Sequence, residues 1–377
     1  MIYNFFSDDE SIDALVNSTK IDRYVPDTEL EIRQIINGVV IPQVGVFEGR
    51  KFLPNSYWGG DINEGEIVLQ EFDYDDSEVY YLGTFHPCWG HEITDGVRLL
   101  WGLIREINHI KIPNDIKFVY TLRDNNKQLN QNFKELLSYF GAADNTLLCV
   151  DKPTQFKKIY LADESYWYNS QSDAKRKYSN YFTYIFDYLT KQIVPENNKP
   201  NKVVYFSRTA WKKGNPDFGE KFIEDAFVNS MHCEIVHPER LSFVEMVRLL
   251  QNTQTLITTE GSISHNALFM QNGTDLIIIR KAGFISYYQL MINQVKNLNV
   301  TYIDAHFTHY FYDKTAPYYG PFFLYVNKSL ALYLGIRSHF PVLTYCRYRS
   351  HIIFKSFRYF LICKAIKLRN IVRNVLS

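Results

Sequence analysis

At 377 residues the chain is longer than one ordinary core, and 46% hydrophobic with 22% charged residues suggests about two folded domains, not a disordered or fibrous chain. The formal charge is zero, yet Lys314 to Ser377 holds eleven Lys or Arg and no Asp or Glu, leaving 30 bases against 41 acids in residues 1–313. So acidic a body argues against nucleic acid as a partner. The five cysteines (Cys88, Cys149, Cys233, Cys346, Cys363) are scattered and lack metal-ligand spacing, which argues against a disulfide scaffold or a structural zinc site. The opening "MIYNFFSDDESIDAL" has an acidic flank and no long apolar run, unlike a secretory signal. No segment reaches the ~18 uninterrupted apolar residues of a membrane-spanning helix. A cytoplasmic chain is expected.

In chain order, "GEIVLQEFD" and "SEVYYLGTF" read as consecutive strands. The acidic "FDYDDSE" between them, with Asp73 and Asp75 in D-x-D spacing, reads as a solvated hairpin turn. "HEITDGVRLLWGLIREINHI" reads as a helix, because Ile93, Val97, Leu100, Ile104 and Ile107 recur at helical spacing. "IKFVYTL" is a further strand, and a Tyr-rich helical pattern follows. The polar, Pro/Asn-rich stretch from Pro195 to Asn201 is the clearest seam. It divides an N-terminal α/β domain (1–197) from a second domain (198–335). A basic helical tail (336–377) completes the chain.

After the seam, "KVVYFSR", "CEIVH", "TLITT", "DLIII" and "VTYID" alternate with helix-like segments at 218–231, 242–253, from about Ser262, and 286–297. Short apolar runs alternating with amphipathic helices predict a parallel sheet covered on both faces. Right-handed crossovers place every strand's carboxyl end on one side, where such sheets bind ligands. The tail, "FKSFRYFLICKAIKLRNIVRNVLS", interleaves bases with apolar residues. That pattern fits either a helix lying on an anionic membrane surface or one folded back on the acidic body.

Three constellations carry candidate chemistry. Glu260 and Gly261 close the strand "TLITT" just before a helix, whose first turn offers backbone N–H groups to a phosphate. Gly261 and Ser262 allow close approach, while Ser262 or Ser264 serving only as a helix cap is the plain structural alternative. Arg208 follows the first strand of the same sheet, with Lys212 and Lys213 behind it, so all three cations are candidates to face the same anion. In "WGHEITDGVRLL", His91, Asp95 and Arg98 are spaced four and three apart along one helix face. A His–Asp pair can take a proton from a hydroxyl. There is neither a G-x-G-x-x-G after a strand nor a G-x-x-x-x-G-K-[ST], which argues against dinucleotide and P-loop enzymes.

Taken in order, "WGHEITDGVRLL", "YFSR" with "KKGNPDFGE", "LSFVEMVRLL" and "TTEGSISHNALFMQNG" resemble glycosyltransferase family 61 over roughly residues 80–282. The resemblance implies a GT-B-like α/β fold, two Rossmann-like domains facing across a cleft. It also implies inverting transfer from a nucleotide sugar, UDP-linked by preference, without an essential metal or cofactor. By the same resemblance Arg208 with Lys212 or Lys213 holds the diphosphate. Glu220 matches the acid of the family's Asn-Glu pair, and Glu245 the glutamate after "lsf". Gly261 and Asn266 match the glycine-rich turn and its asparagine, and His91 and Asp95 match the early His and Asp. Glu260 stands where the family usually has His, and "SISH", which includes Ser264 and His265, replaces "AGLT". A carboxylate beside a diphosphate repels it unless protonated or paired, so Glu260 joins His91 and Asp95 as a candidate base. The expected acceptor is a lipid-linked or oligosaccharide precursor of a cell-surface glycan such as capsule or O-antigen. A non-catalytic binder of sugar nucleotides or glycans and a sugar-phosphate transferase are the rival expectations.

Overall fold

The computed structural model describes residues 2–5, 29–53, 71–124, 128–167, 177–195, 199–211, 217–281, 285–307 and 320–358. Beyond the seam the apolar runs do become strands, at Lys202–Phe206, Glu234–Val236, Thr253–Thr259, Asp275–Arg280 and Asn299–Asp304. They pair only in parallel, and their order across the sheet, counted along the chain, is 2-1-3-4-5. The order therefore reverses between Lys202–Phe206 and Thr253–Thr259, the position at which open parallel sheets bind ligands outside their carboxyl ends. Successive side chains are buried on opposite faces. Leu256, Ile278 and Val300 pack on one side, and Ile257, Ile277, Ile279 and Ile303 on the other. This double burial explains why these strands are continuous apolar runs, with no polar alternation. A sixth strand, Ile2–Phe5, pairs in parallel with Val300–Ile303. The chain's first residues thus join the second sheet, although a division at 195–201 groups them with the first.

The other main sheet is mixed. Thr154–Ala162 and Asp73–Phe85 form its centre, flanked on one side by Lys117–Leu122 and Leu147–Cys149, all in parallel. On the other side Val39–Ile41, Gly45–Glu48 and Lys51–Leu53 add antiparallel hairpins, and Ile32–Ile36 also pairs antiparallel with Thr154–Ala162. Most of "GEIVLQEFD" lies outside the described residues. The acidic run is not a hairpin turn: Asp73 and Asp75 lie inside the long strand, opposite Thr154 and Phe156, with a register shift before Glu78. Bases on the neighbouring strands keep it extended, Lys158 lying 3.1 Å from Glu78 and Lys117 4.0 Å from Asp75.

The segment expected as one helix over 91–110 is broken. Helix holds only over Trp89–Glu92 and a 3-10 turn over Leu100–Leu103. Ile93, Val97, Leu100 and Ile104 are buried as their spacing predicts, but Thr94, Asp95 and Arg98 between them are buried too. Side-chain bonds to backbone carbonyls, Thr94 to Gly90 at 2.7 Å and Arg98 to Asp95 at 2.8 Å, take over from the helical ladder.

One cluster of buried apolar residues runs from the mixed sheet into the parallel one. Helix Asn180–Ile193 sends Phe186 against Phe269 at 5.8 Å, and helix Phe243–Gln251 sends Phe243 against both Phe269 at 5.4 Å and Trp89 at 6.5 Å. The molecule is thus a mixed α/β protein with one mixed sheet, one parallel sheet and C-terminal helices. Helix Lys328–Leu334 is capped by the Asn327 side chain, and residues 342–358 are helical, in line with the helical tail expected there. Among the described residues no helix is long and apolar enough to cross a membrane.

Candidate functional site

Two of the three candidate constellations meet at the carboxyl edge of the parallel sheet. Phe206 pairs with Thr258, so Arg208 and Glu260 each follow the carboxyl end of one of two adjacent strands. Gly261 follows with φ +125 and open space around the position a Cβ would take. Only glycine adopts that backbone readily, and it leaves the turn accessible to a ligand. The expected helix after it is a six-residue 3-10 turn, Ser264–Phe269, with every residue buried. The Ser264 hydroxyl donates to the Gly261 carbonyl at 2.7 Å and does not cap N–H groups. The exposed first turn and dipole of an α-helix are therefore missing from this site.

Cations on the same edge are held by carboxylates. Asp217, nearly buried, takes the Arg208 Nε at 3.4 Å and the Lys281 Nζ at 3.2 Å. Glu220 accepts the Arg208 backbone N–H at 3.0 Å, and burial together with the nearby Asp217 charge pushes its pKa up to about 8. Gly219 caps the start of helix Glu220–Met231 at φ +86, where a Cβ would strike the Leu324 carbonyl. Glu224 accepts the Ser207 hydroxyl and, at 2.8 Å, that of Thr209. Deeper in the edge Arg280 and Asp304, register partners on neighbouring strands, form a fully buried pair at 2.7 Å.

Glu260 lies beneath this row. Its carboxylate accepts the Ser286 N–H at 3.2 Å, at the start of helix Tyr287–Val295. Burial pushes its pKa up to about 7, against the pull of Arg280.

The third constellation lies across the sheet edge from these groups. His91 Nδ1 and Asp95 Oδ2 are 2.8 Å apart, and Tyr288 donates its hydroxyl to the same Asp95 oxygen at 2.9 Å. Tyr288 also packs edge-on to His91 and against His265, at centroid distances of 5.6 and 5.8 Å. Trp89 donates its indole N–H to Asn266 at 2.8 Å. A side chain at Gly90 would collide with the Ser262 hydroxyl and crowd His265, so glycine allows the two segments to close on each other. Arg98 uses its Nε on Glu164 at 2.7 Å and meets Asp95 through that residue's carbonyl, not its carboxylate.

The structure thus gathers His91, Asp95, Ser262, Ser264, His265 and Asn266 into one place, and Arg208, Glu220, Glu260 and Gly261 along the adjoining edge. Lys212 and Lys213 lie outside the described residues. Glu245 is elsewhere: exposed, it closes a reciprocal capping box with Ser242. Sequence reasoning missed Tyr288, Asp217, Arg280, Lys281 and Asp304. The last three had a signal, since each lies at or just past the end of an apolar run on the ligand-binding side. Among the described residues no group of three or more His, Cys, Asp or Glu side chains is placed to hold a metal ion.

Comparison with known proteins gives one family match: the model described as Glycosyltransferase 61 covers residues 39–277. That span includes the mixed sheet's central strands, strands Lys202–Phe206 and Thr253–Thr259 of the parallel sheet, the His91–Asp95 pair, Arg208 and the Gly261 turn. No curated protein matches the chain.

Proposed function

The chain belongs to glycosyltransferase family 61 and is a glycosyltransferase of the EC 2.4 class, with a sugar donor and an acceptor as its substrates, and on that premise we propose that it moves a sugar, with inversion, from a nucleotide-sugar donor to a hydroxyl of a cell-surface glycan precursor. The two sheets would take a GT-B arrangement, with the donor on the carboxyl edge of the parallel sheet and the acceptor on the side of His91. His91 takes the acceptor proton, and Asp95 fixes the imidazole and offsets the charge it gains. Tyr288 and the Trp89–Asn266 bond hold that pair over the turn. Negative charge grows on the departing diphosphate as the sugar becomes oxocarbenium-like. Arg208 and Lys281, with Lys212 and Lys213, which follow Arg208 closely in sequence, offset it without a metal. Ser262 and the open Gly261 backbone let the phosphates approach, and Glu220 fixes the Arg208 main chain. Glu260 is a support for helix Tyr287–Val295 and not the base.

The observation that carries this proposal is the His91–Asp95–Tyr288 hydrogen-bonded chain, with Tyr288 packed against His265 and neighbouring Gly90 closed on Ser262, beside the strand-order reversal. A cytoplasmic location with peripheral membrane contact through 336–377, near a lipid-linked acceptor, belongs to the same proposal.

Two variants test it by nucleotide release and donor calorimetry. Asp95→Asn should cut kcat by about 10²–10⁴-fold while keeping donor affinity, the usual worth of a positioned acid or base. Arg208→Ala should weaken donor binding by about tenfold or more, as loss of one charge-assisted contact to phosphate predicts. Full turnover by Asp95→Asn sinks the base assignment, and unchanged donor affinity in Arg208→Ala sinks the phosphate assignment.

A further inference from the structure

The helix over residues 342–358 has two faces of different character. One face is sealed. Tyr348 is fully buried, Ile352 nearly so, and Tyr348 packs on Phe323 at 5.5 Å and Phe218 at 5.6 Å. Tyr345 lies 5.2 Å from Phe323 on the same side. The opposite face carries Leu343, 79% exposed, Phe354, 67% exposed, and Val342, Ile353 and Phe357, each at least 60% exposed. At 100° per residue these five fall within one stripe down the helix, and the stripe points away from Tyr348 and Ile352. Exposed Arg347 and Arg358 border it on one side and exposed Arg349 on the other. Scattered exposed apolar residues need no explanation, but five large ones on one side of a helix, separated only by exposed Cys346 and Ser350, do.

We propose that this stripe, with the arginines bordering it, is a docking face for an anionic phospholipid bilayer, which the helix meets lying flat. The geometry is that of an interfacial helix, with large apolar side chains in the centre and cations at the level of the lipid phosphates. Charge complementarity selects this occupant. Residues 314–377 contain no acid to pair with a basic partner or to cancel attraction to a negative surface. A second copy of the chain would set Arg347, Arg349 and Arg358 against their own kind.

The sealed face gives the docking a consequence for the peripheral contact proposed above, which it deepens and on which that consequence rests. Phe218, under Tyr348, follows Asp217, which holds Arg208 and Lys281. A bilayer seated on the outer face therefore lies about one helix diameter, ~10 Å, beyond the residues packed on the cation row. An acceptor anchored in that bilayer is thereby held near the donor side of the site, from which its free end reaches the side of His91.

The test is co-sedimentation of the full chain with vesicles of phosphatidylcholine alone and of phosphatidylcholine mixed with phosphatidylglycerol, at low and high salt. Binding is expected to the mixed vesicles only, and to weaken as salt rises. Replacing Arg347, Arg349 and Arg358 by Gln should lower the partition on the order of a hundredfold, at about 1 kcal/mol per surface cation. The substitutions Leu343→Ser, Phe354→Ser and Phe357→Ser together should abolish it. All six positions are exposed, and an unchanged far-UV circular dichroism spectrum checks the fold. Binding equal to wild type in either variant, or no binding to mixed vesicles, overturns the proposal. So does a dimer in solution that the Ser variant dissolves. Transfer to a soluble acceptor is measured separately: if it fails while vesicles still bind, the catalytic proposal falls and the docking face stands.

Discussion

Glu260 shows at the residue scale how little a charge's position in the sequence says about which groups it touches. Its place after "TLITT" suggested contact with the donor or a role as base. The structure turns the carboxylate beneath the edge, onto the Ser286 N–H and near Arg280. Arg280 ends the neighbouring strand and Ser286 precedes the helix after it, and no local spacing announces either. The same holds for Tyr288, which reaches Asp95 from 193 residues away, whereas the His91–Asp95 pair was legible because four residues is a helical repeat. Burial raises the pKa of Glu260 from 4.5 to about 7 and that of Glu220 to about 8. A carboxyl whose folded pKa is raised contributes stability that is fully present below its unfolded pKa and is lost as pH rises through the folded value. The melting temperature should therefore fall as pH climbs from 4.5 to about 8. Glu260→Gln keeps an acceptor for Ser286 but cannot ionise, so it should melt a few degrees above the parent at the alkaline end. The two should converge at the acid end. Glu92 and Glu164 shift in the same direction, so the variant removes only part of the slope. Parallel melting curves across the range would mean that Glu260 is already ionised in the folded protein.

At the scale of elements, the parallel strands were readable because burial on both faces writes them as unbroken apolar runs. The segment after His91 was not. Apolar residues at helical spacing mark which positions are buried, but a segment enclosed on all sides can satisfy that spacing without forming a helix. The 3-10 turn Ser264–Phe269 failed for the same reason, being buried throughout. Of the proposed phosphate site, the Gly261 turn is thus the part to be tested. Gly261→Ala separates its two roles. With open space at the Cβ position, the substitution costs only backbone strain at φ +125, about 1–3 kcal/mol. Denaturant titration should report that loss, and calorimetry a weaker grip on the nucleotide sugar, because the turn relaxes away from the phosphates. Gly219→Ala, where a Cβ meets the Leu324 carbonyl as well as a positive φ, should lose more stability. Should Gly261→Ala lose stability but bind donor normally, the turn is structural and the phosphates lie elsewhere.

At the scale of the whole molecule, the polar stretch at 195–201 marks a change of sheet without marking a break in packing. Composition could find the first and not the second, because a shared core is built from ordinary Phe and Leu on both sides. Phe269, fully buried, is the hinge of that core, with Phe186 from the helix before the seam and Phe243 from a helix after it. Polar ties cross at the same place: Asn132 donates to the Leu241 carbonyl at 3.0 Å and the Phe243 N–H to Glu135 at 3.2 Å. Two sheets joined this way cannot separate without exposing a large apolar face, so they should unfold together even though the chain is long enough for two independent units. Guanidinium unfolding followed by far-UV circular dichroism and by tryptophan fluorescence should give one coincident transition. Phe269→Ala should shift both probes equally, by about 3–5 kcal/mol for a buried aromatic removed from a close-packed site. If the variant instead splits the curve in two, each sheet holds its own core, and the approach of Gly90 to Ser262 is a contact between separable bodies that donor binding must close.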